Sequence, residues 1–299
     1  MANTTETTGG PGDAPPIDED FLQGPPPMAR RDFRHARLRQ FPGSSSKINW
    51  LEYLGQGIQG VVYKATIDDG DPVAVKIFWR THRPDPAKQP SHLRGPEYFE
   101  WPFKDECRAV ALMEKIKWAM RRVETDPERT ILVKEGPQTV EDAINNLYAF
   151  SDAGRHGTAR QDGTLTPPPP FPALPECYGW MRVKRDTLSE LGPPVWEQVN
   201  EDVDWHWAIV YEFVPPTPQD LGVGQAHLDF FYALGFALDP YKPDNWHGGR
   251  LVDYNDICPP FTRGWSRHSV CRCEAEEWFW TRECGLYRID RGVQTRRLV

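Results

Sequence analysis

The residues that come after a set of three glycines restrict this chain to few architectures. Gly55 to Ala65 read Gly-Gln-Gly-Ile-Gln-Gly-Val-Val-Tyr-Lys-Ala, and Val73 to Lys76 read Val-Ala-Val-Lys. Glycines at G-x-G-x-x-G spacing let a backbone turn tightly and bring its N–H groups up to phosphate oxygens. Dinucleotide-binding folds share the spacing, but there the glycines open a helix whose N-terminus takes the pyrophosphate. Here they open Val61 to Ile67, whose β-branched and aromatic residues predict a strand. Asp68 to Pro72 predicts a turn, Val73 to Phe78 a second strand, and Ile48 to Leu54 an earlier one. The glycines therefore belong to a loop between strands.

The 299 residues suffice for one two-lobed domain or two small ones, and 39% hydrophobic with 26% charged residues fits a globular protein. A net charge of −8 implies no general affinity for nucleic acid. No apolar run is long enough to span a bilayer, and the first residues lack the basic and apolar regions of a signal peptide. Six cysteines without such a signal are expected as reduced thiols, in nucleus or cytoplasm. Residues 1–46 are rich in Gly, Pro, Thr, Asp and Arg and are expected to be a disordered tail. Within it a basic run spans Met28 to Arg39. Its Arg30–Arg39 stretch is either a solvated linker or a contact for nucleic acid, an acidic partner or an import receptor.

Further along, Ala109, Val110, Met113, Ile116 and Met120 recur at three- and four-residue steps, predicting a helix from Phe103 to about Val123 with Glu106 near its start. Residues 124–175 form a long connection. Thr139 is positioned to cap a helix from Val140 to Phe150, and 154–172 reads as a loop ending in prolines. Strands are predicted at Cys177 to Val183 and Trp205 to Val214, the latter ended by Pro215 and Pro216, and a helix from about Gln225 to Leu238.

Strand, glycine loop, strand, turn and a strand carrying Val-Ala-Val-Lys resemble the opening of a protein-kinase N-lobe. The resemblance implies an α+β, two-lobed kinase-like fold. A five-stranded antiparallel sheet with one main helix would fill 47–214, with an insertion at about 124–175, and a reduced, mainly helical C-lobe 215–299. It implies ATP and Mg²⁺ as cofactors. Gly55, Gln56, Gly57 and Gly60 would cover the phosphates and Val62 and Ala74 would line the nucleotide. Lys76 would be aimed by Glu106, and the backbone from Glu212 to Val214 would read adenine. Against the catalytic loop H-R-D-x-K-P-x-N, Lys242, Pro243 and Asn245 fall into register, and Asp253 lies eight residues beyond Asn245, so these two are the expected metal ligands. The same register places Leu238, Asp239 and Pro240 on His, Arg and Asp. Proline cannot accept a proton, and general acid–base help is worth about 10² to 10⁴ in rate. Asp239 serves as base only if the loop is shifted by one residue. About 45 residues follow Asp253, with no Ala-Pro-Glu among them, so a small C-lobe packed around Trp265, Trp278, Phe279, Trp280 and Tyr287 is expected. Cys258, Cys271, Cys273 and Cys284 lie near His268, but Cys271-x-Cys273 is not the usual zinc knuckle, and reduced thiols are the expectation.

These pieces, with Phe103 to Ala109, Asn146 to Asp152 and Cys177 to Trp180, resemble a fungal kinase-like family, the kinetochore Sim complex subunit of Fta-two type, over about 47–258. That resemblance implies a nuclear protein with partner subunits in a kinetochore or centromere assembly. Three readings stand open. The chain is a pseudokinase that binds ATP or acts as an interaction module, an active atypical kinase using Asp239, or a scaffold without nucleotide.

Overall fold

The computed structural model describes residues 15–57, 59–82, 101–126, 129–155, 165–188, 191, 203–238, 243–262, 265–266 and 270–280. Its elements are β1 (Ile17–Phe21), α1 (Arg30–Arg34), β2 (Leu38–Gln40), β3 (Ile48–Gln56), β4 (Gly60–Ile67), β5 (Val73–Phe78), α2 (Pro102–Thr125), β6 (Val133–Lys134), α3 (Val140–Tyr148), α4 (Asp152–Arg155), β7 (Leu165–Thr166), β8 (Cys177–Lys184), α5 (Arg185–Leu188), β9 (Trp205–Glu212), α6 (Leu221–Leu234), β10 (Ala237–Leu238), β11 (Trp246–His247), β12 (Arg250–Leu251), β13 (Ile257–Cys258) and α7 (Ala275–Trp280).

The main sheet has seven strands, in the order β1-β2-β8-β9-β5-β4-β3. The expected five-stranded antiparallel sheet is therefore corrected. β3, β4, β5, β9 and β8 do pair antiparallel, but β2 joins β8 in parallel and β1 joins β2 in parallel. Gly179 makes that junction. Its φ of +115° is closed to most side chains, and a Cβ there would lie 2.6 Å from the backbone nitrogen of Phe41. The two extra strands come from the segment expected to be a tail. Residues 15–46 are structured because Phe33 and Leu38 are fully buried against the core, and residues 1–14 lie outside the described residues.

Alternation along β5 sorts the sheet into two faces. Val73, Val75 and Ile77 enter one apolar cluster with Val61, Tyr63, Met181 and Val210. Ala74, Lys76 and Phe78 point the other way, toward α2. α2 starts with Pro at its first turn, where the missing N–H costs nothing, and buries Phe103, Cys107, Val110 and Ile116. Phe103 stacks on Trp207 at 4.8 Å and meets Phe78 edge-on at 5.2 Å. The far side of α2 is also covered: buried Lys115 donates to Pro27 O at 2.8 Å, and buried Arg39 pairs with Glu114. The basic run is thus divided. Arg30, Arg31 and Arg34 face solvent, whereas Arg39 is enclosed and Arg37 Nε donates to Ile17 O at 2.7 Å.

Within the long connection, Thr139 and Asp142 form a reciprocal capping box at the start of α3. Asn146 then ties α3 to β6 and α6, bonding Lys134 N and O and Ala233 O at 2.8, 2.9 and 2.9 Å. Residues 167–176 run without regular helix or strand across the side of the molecule. Their exposed positions are 167, 170, 173 and 176, and the rest are half-buried or buried. Exposure thus recurs at every third residue, and Leu174 N donates to Pro172 O at 2.8 Å within the stretch. Phe171 meets Phe230 edge-on at 5.4 Å, Arg250 Nε donates to Ala173 O at 2.6 Å, and Tyr254 OH donates to Pro175 O at 2.7 Å. This strap joins α6, β12 and the turn after Asp253 to the sheet.

Candidate functional site

Lys76 leaves β5 on the face toward α2 and is 7% exposed. Its Nζ lies 2.6 Å from Glu106 Oε2 and 2.7 Å from Asp253 Oδ1. Glu106 is fully buried on the first turns of α2, where Tyr211 OH donates to its Oε1 at 2.6 Å and the Asn255 side-chain amide to its Oε2. Asp253 caps the short 3₁₀ turn at Tyr254–Asp256, its Oδ1 accepting Asn255 N at 3.0 Å. Asn245 Nδ2 reaches Asp253 Oδ2 at 3.3 Å and Asp256 Oδ2 at 2.8 Å. One cation thus joins two carboxylates from distant parts of the chain, and both carboxylates are held by further donors.

The electrostatics follow from this enclosure. Burial alone pulls the Lys76 ammonium down, but the Asp253 and Glu106 carboxylates, through charge and hydrogen bonds, outweigh it and hold Lys76 above the ordinary lysine range. Burial pushes the Glu106 carboxyl up. Lys76 offsets only part of that, the nearby Asp253 charge adds to it, and the group lies at about 7. Tyr211 and Tyr254 stack at 5.5 Å with planes 7° apart, closing the side of the centre toward the strap.

The hairpin residues lie beside this centre. Gly55, Val62 and Lys76 are neighbours in one cross-strand row, and Ala74 shares their face, half-buried like Val62. Gln56 and Gly57 are exposed at the tip, where Gly57 N bonds Gly60 O at 2.9 Å and Trp79 Nε1 donates to Gly57 O at 3.0 Å. The glycines differ in their reasons. A Cβ on Gly60 would lie 2.1 Å from Ile77 O, so packing alone demands glycine there. A Cβ on Gly55 or Gly57 would meet nothing within 4 Å, and neither has a positive φ. Among the described residues, nothing fills the space above these two.

Other expected positions are already engaged. Glu212 N donates to Glu176 O at 2.8 Å, its carboxylate pairs with Arg250 at 3.1 Å, and Val214 O accepts from His247 Nδ1 at 3.0 Å. The expected strand to Val214 ends at Glu212, and these backbone groups serve the chain's own contacts. Asp239, Pro240 and Lys242 lie outside the described residues, as do His268 and Cys284. Among the described residues, no group of three or more His, Cys, Asp or Glu is arranged to hold a metal ion. The oxygen donors beside Lys76 that remain suited to a hard cation are Asp253 and the Asn245 side chain. Tyr211 and Asn255 are not among the expected site residues. Alternation from Ile209 puts Tyr211 on the Lys76 face, a signal that the sequence carries, whereas the reach of Asn255 depends on the turn that Asp253 caps.

The described chain is a mixed α+β protein built around a buried lysine–carboxylate centre. Residues 26–122 match the family model described as kinetochore Sim4 complex subunit FTA2. That stretch is similar to the family and spans α1 to most of α2, including the glycine hairpin, Lys76 and Glu106 but neither Asn245 nor Asp253. None of the curated proteins compared with the chain matches it. No helix among the described residues is long and apolar enough to cross a membrane.

Proposed function

We propose that this chain is a kinase-like nucleotide-binding module of pseudokinase type, serving protein assembly at a fungal kinetochore or centromere. The observation that carries the reading is Lys76 held 2.6 Å from Glu106 and 2.7 Å from Asp253. A strand lysine aimed by a helix glutamate, with an aspartate opposite, is the arrangement that protein kinases use to hold nucleotide phosphates and metal. The open space over Gly55 and Gly57 suits a ligand that approaches the backbone closely. Mg²⁺ between Asp253 and Asn245 would neutralise phosphate charge if ATP binds. Lys76 would orient the phosphates, with Glu106 fixing its direction. Proline at the position of the proton-accepting aspartate supports a binding role over phosphotransfer. The family match supports the kinetochore part of the reading, and with it a nuclear location and protein partners.

Thermal melting with and without Mg-ATP tests this. A ligand at 100 times its Kd adds about 2.7 kcal/mol to stability. A shift in the wild type that is lost in Gly55→Ala and Asp253→Asn is the expected result. No shift in the wild type leaves a nucleotide-free scaffold, and labelled-phosphate transfer abolished by Asp239→Ala would make the chain an active kinase.

A further inference from the structure

Far along the chain from the glycine hairpin, residues 270–280 lie against α6. Gln225 holds them with both ends of its amide, Nε2 donating to Cys273 O at 3.1 Å and Oε1 accepting from Ala275 N at 2.8 Å. Phe279 fills the notch over Gly224 and meets Trp246 at 5.4 Å. In this anchored stretch the sulfurs of Cys271 and Cys273 stand 3.1 Å apart. Cys271 is exposed and Cys273 half-buried. Cysteine is among the most buried residue types, and an exposed one is kept for its chemistry more often than for packing. The hydrogen bond to Cys271, with burial added, pushes the Cys273 thiol up, and exposed Cys271 is the sulfur that a solvent-borne oxidant reaches first.

We propose that Cys271 and Cys273 form a redox site that a hydroperoxide oxidises to an intramolecular disulfide. The Cys271 sulfur attacks one peroxide oxygen. An S–O bond forms, the O–O bond breaks, and the leaving hydroxide takes the Cys271 proton to become water. The Cys273 sulfur then attacks the sulfenic sulfur. The S–S bond forms, the S–O bond breaks, and the departing hydroxide leaves as a second water with the Cys273 proton. Two thiols lose two electrons and two protons, and one hydrogen peroxide becomes two waters. A bridge across a single intervening residue closes a small, strained ring, the labile kind that a dithiol reductant reopens. Reversible pairs of this type are the form in which disulfides occur inside reducing compartments.

The test uses the full chain, native and reduced, treated with stoichiometric hydrogen peroxide, quenched by alkylation and mapped by mass spectrometry. The expected product carries Cys271 and Cys273 bridged in one peptide, lighter by two hydrogens and restored by dithiothreitol, while buried Cys107 stays reduced. In Cys273→Ser, dimedone should trap a sulfenic acid on Cys271. In Cys271→Ser, Cys273 should stay unlabelled. A bridge from either cysteine to Cys258 or Cys284, or survival of both thiols while other cysteines oxidise, overturns the proposal. Nucleotide plays no part in these readouts, so the result stands apart from the reading of the Lys76 centre.

Discussion

Glu106 shows how much one buried carboxyl governs. Its ordinary value of 4.5 rises to about 7 in the fold. Between those values the folded chain holds a proton that the unfolded chain has released. Its contribution to stability is therefore complete below about 4.5 and is lost as pH rises through about 7. The unfolding free energy of the wild type, measured by denaturant titration against Glu106→Gln, should fall as pH goes from about 5 to about 7, by an amount on the order of 1–3 kcal/mol. Parallel curves for the two proteins would show that Glu106 ionises normally. Lys76, Glu106, Asn245 and Asp253 are legible in the sequence because each occupies a fixed place in a motif, and the fold brings all four together. Alternation gives the face of Tyr211 but not its bond to Glu106, and Asn255 gives no signal, because its reach depends on the turn that Asp253 caps. Gly60 is legible as a glycine but for a different reason, since the backbone of β5 excludes any side chain there.

At the scale of elements, the strap across residues 167–176 is tied to the turn that carries Asp253. Tyr254 OH donates to Pro175 O at 2.7 Å in a buried place. Tyr254→Phe leaves that carbonyl unpartnered and should cost about 1–3 kcal/mol. Hydrogen exchange over 250–258 should quicken while β4 and β5 stay protected; uniform exchange across both would show that the strap carries no local restraint. Element boundaries are clearest where chemistry punctuates the chain. β5 runs from Val73 to Phe78 as expected because Pro72 precedes an unbroken alternation. α6 begins at Leu221 rather than near Gln225, since Asp220 caps it by accepting Val223 N at 3.0 Å, and Gly235 in a left-handed conformation ends it early. β1, α1 and β2 are hidden in the sequence because their polar composition resembles a tail. Phe33 and Leu38 read as core only once the rest of the apolar cluster is present to receive them.

For the whole molecule, the N-terminal stretch completes the core. It covers the side of α2 away from the sheet, with Arg39 on Glu114 and the Pro27 carbonyl on Lys115. A chain starting at residue 47 would expose that side and strand buried Lys115. It should melt well below the full chain, with a loss on the order of 3–5 kcal/mol, and bind apolar dyes. Equal melting temperatures would mean that residues 15–46 only decorate the surface. The strap bears on assembly as well. Domains that recognise Pro-x-x-Pro ligands need an extended proline segment laid open to their groove, and in this strap only every third residue is exposed. The run of prolines is thus largely held in packing rather than offered to recruiters of that kind.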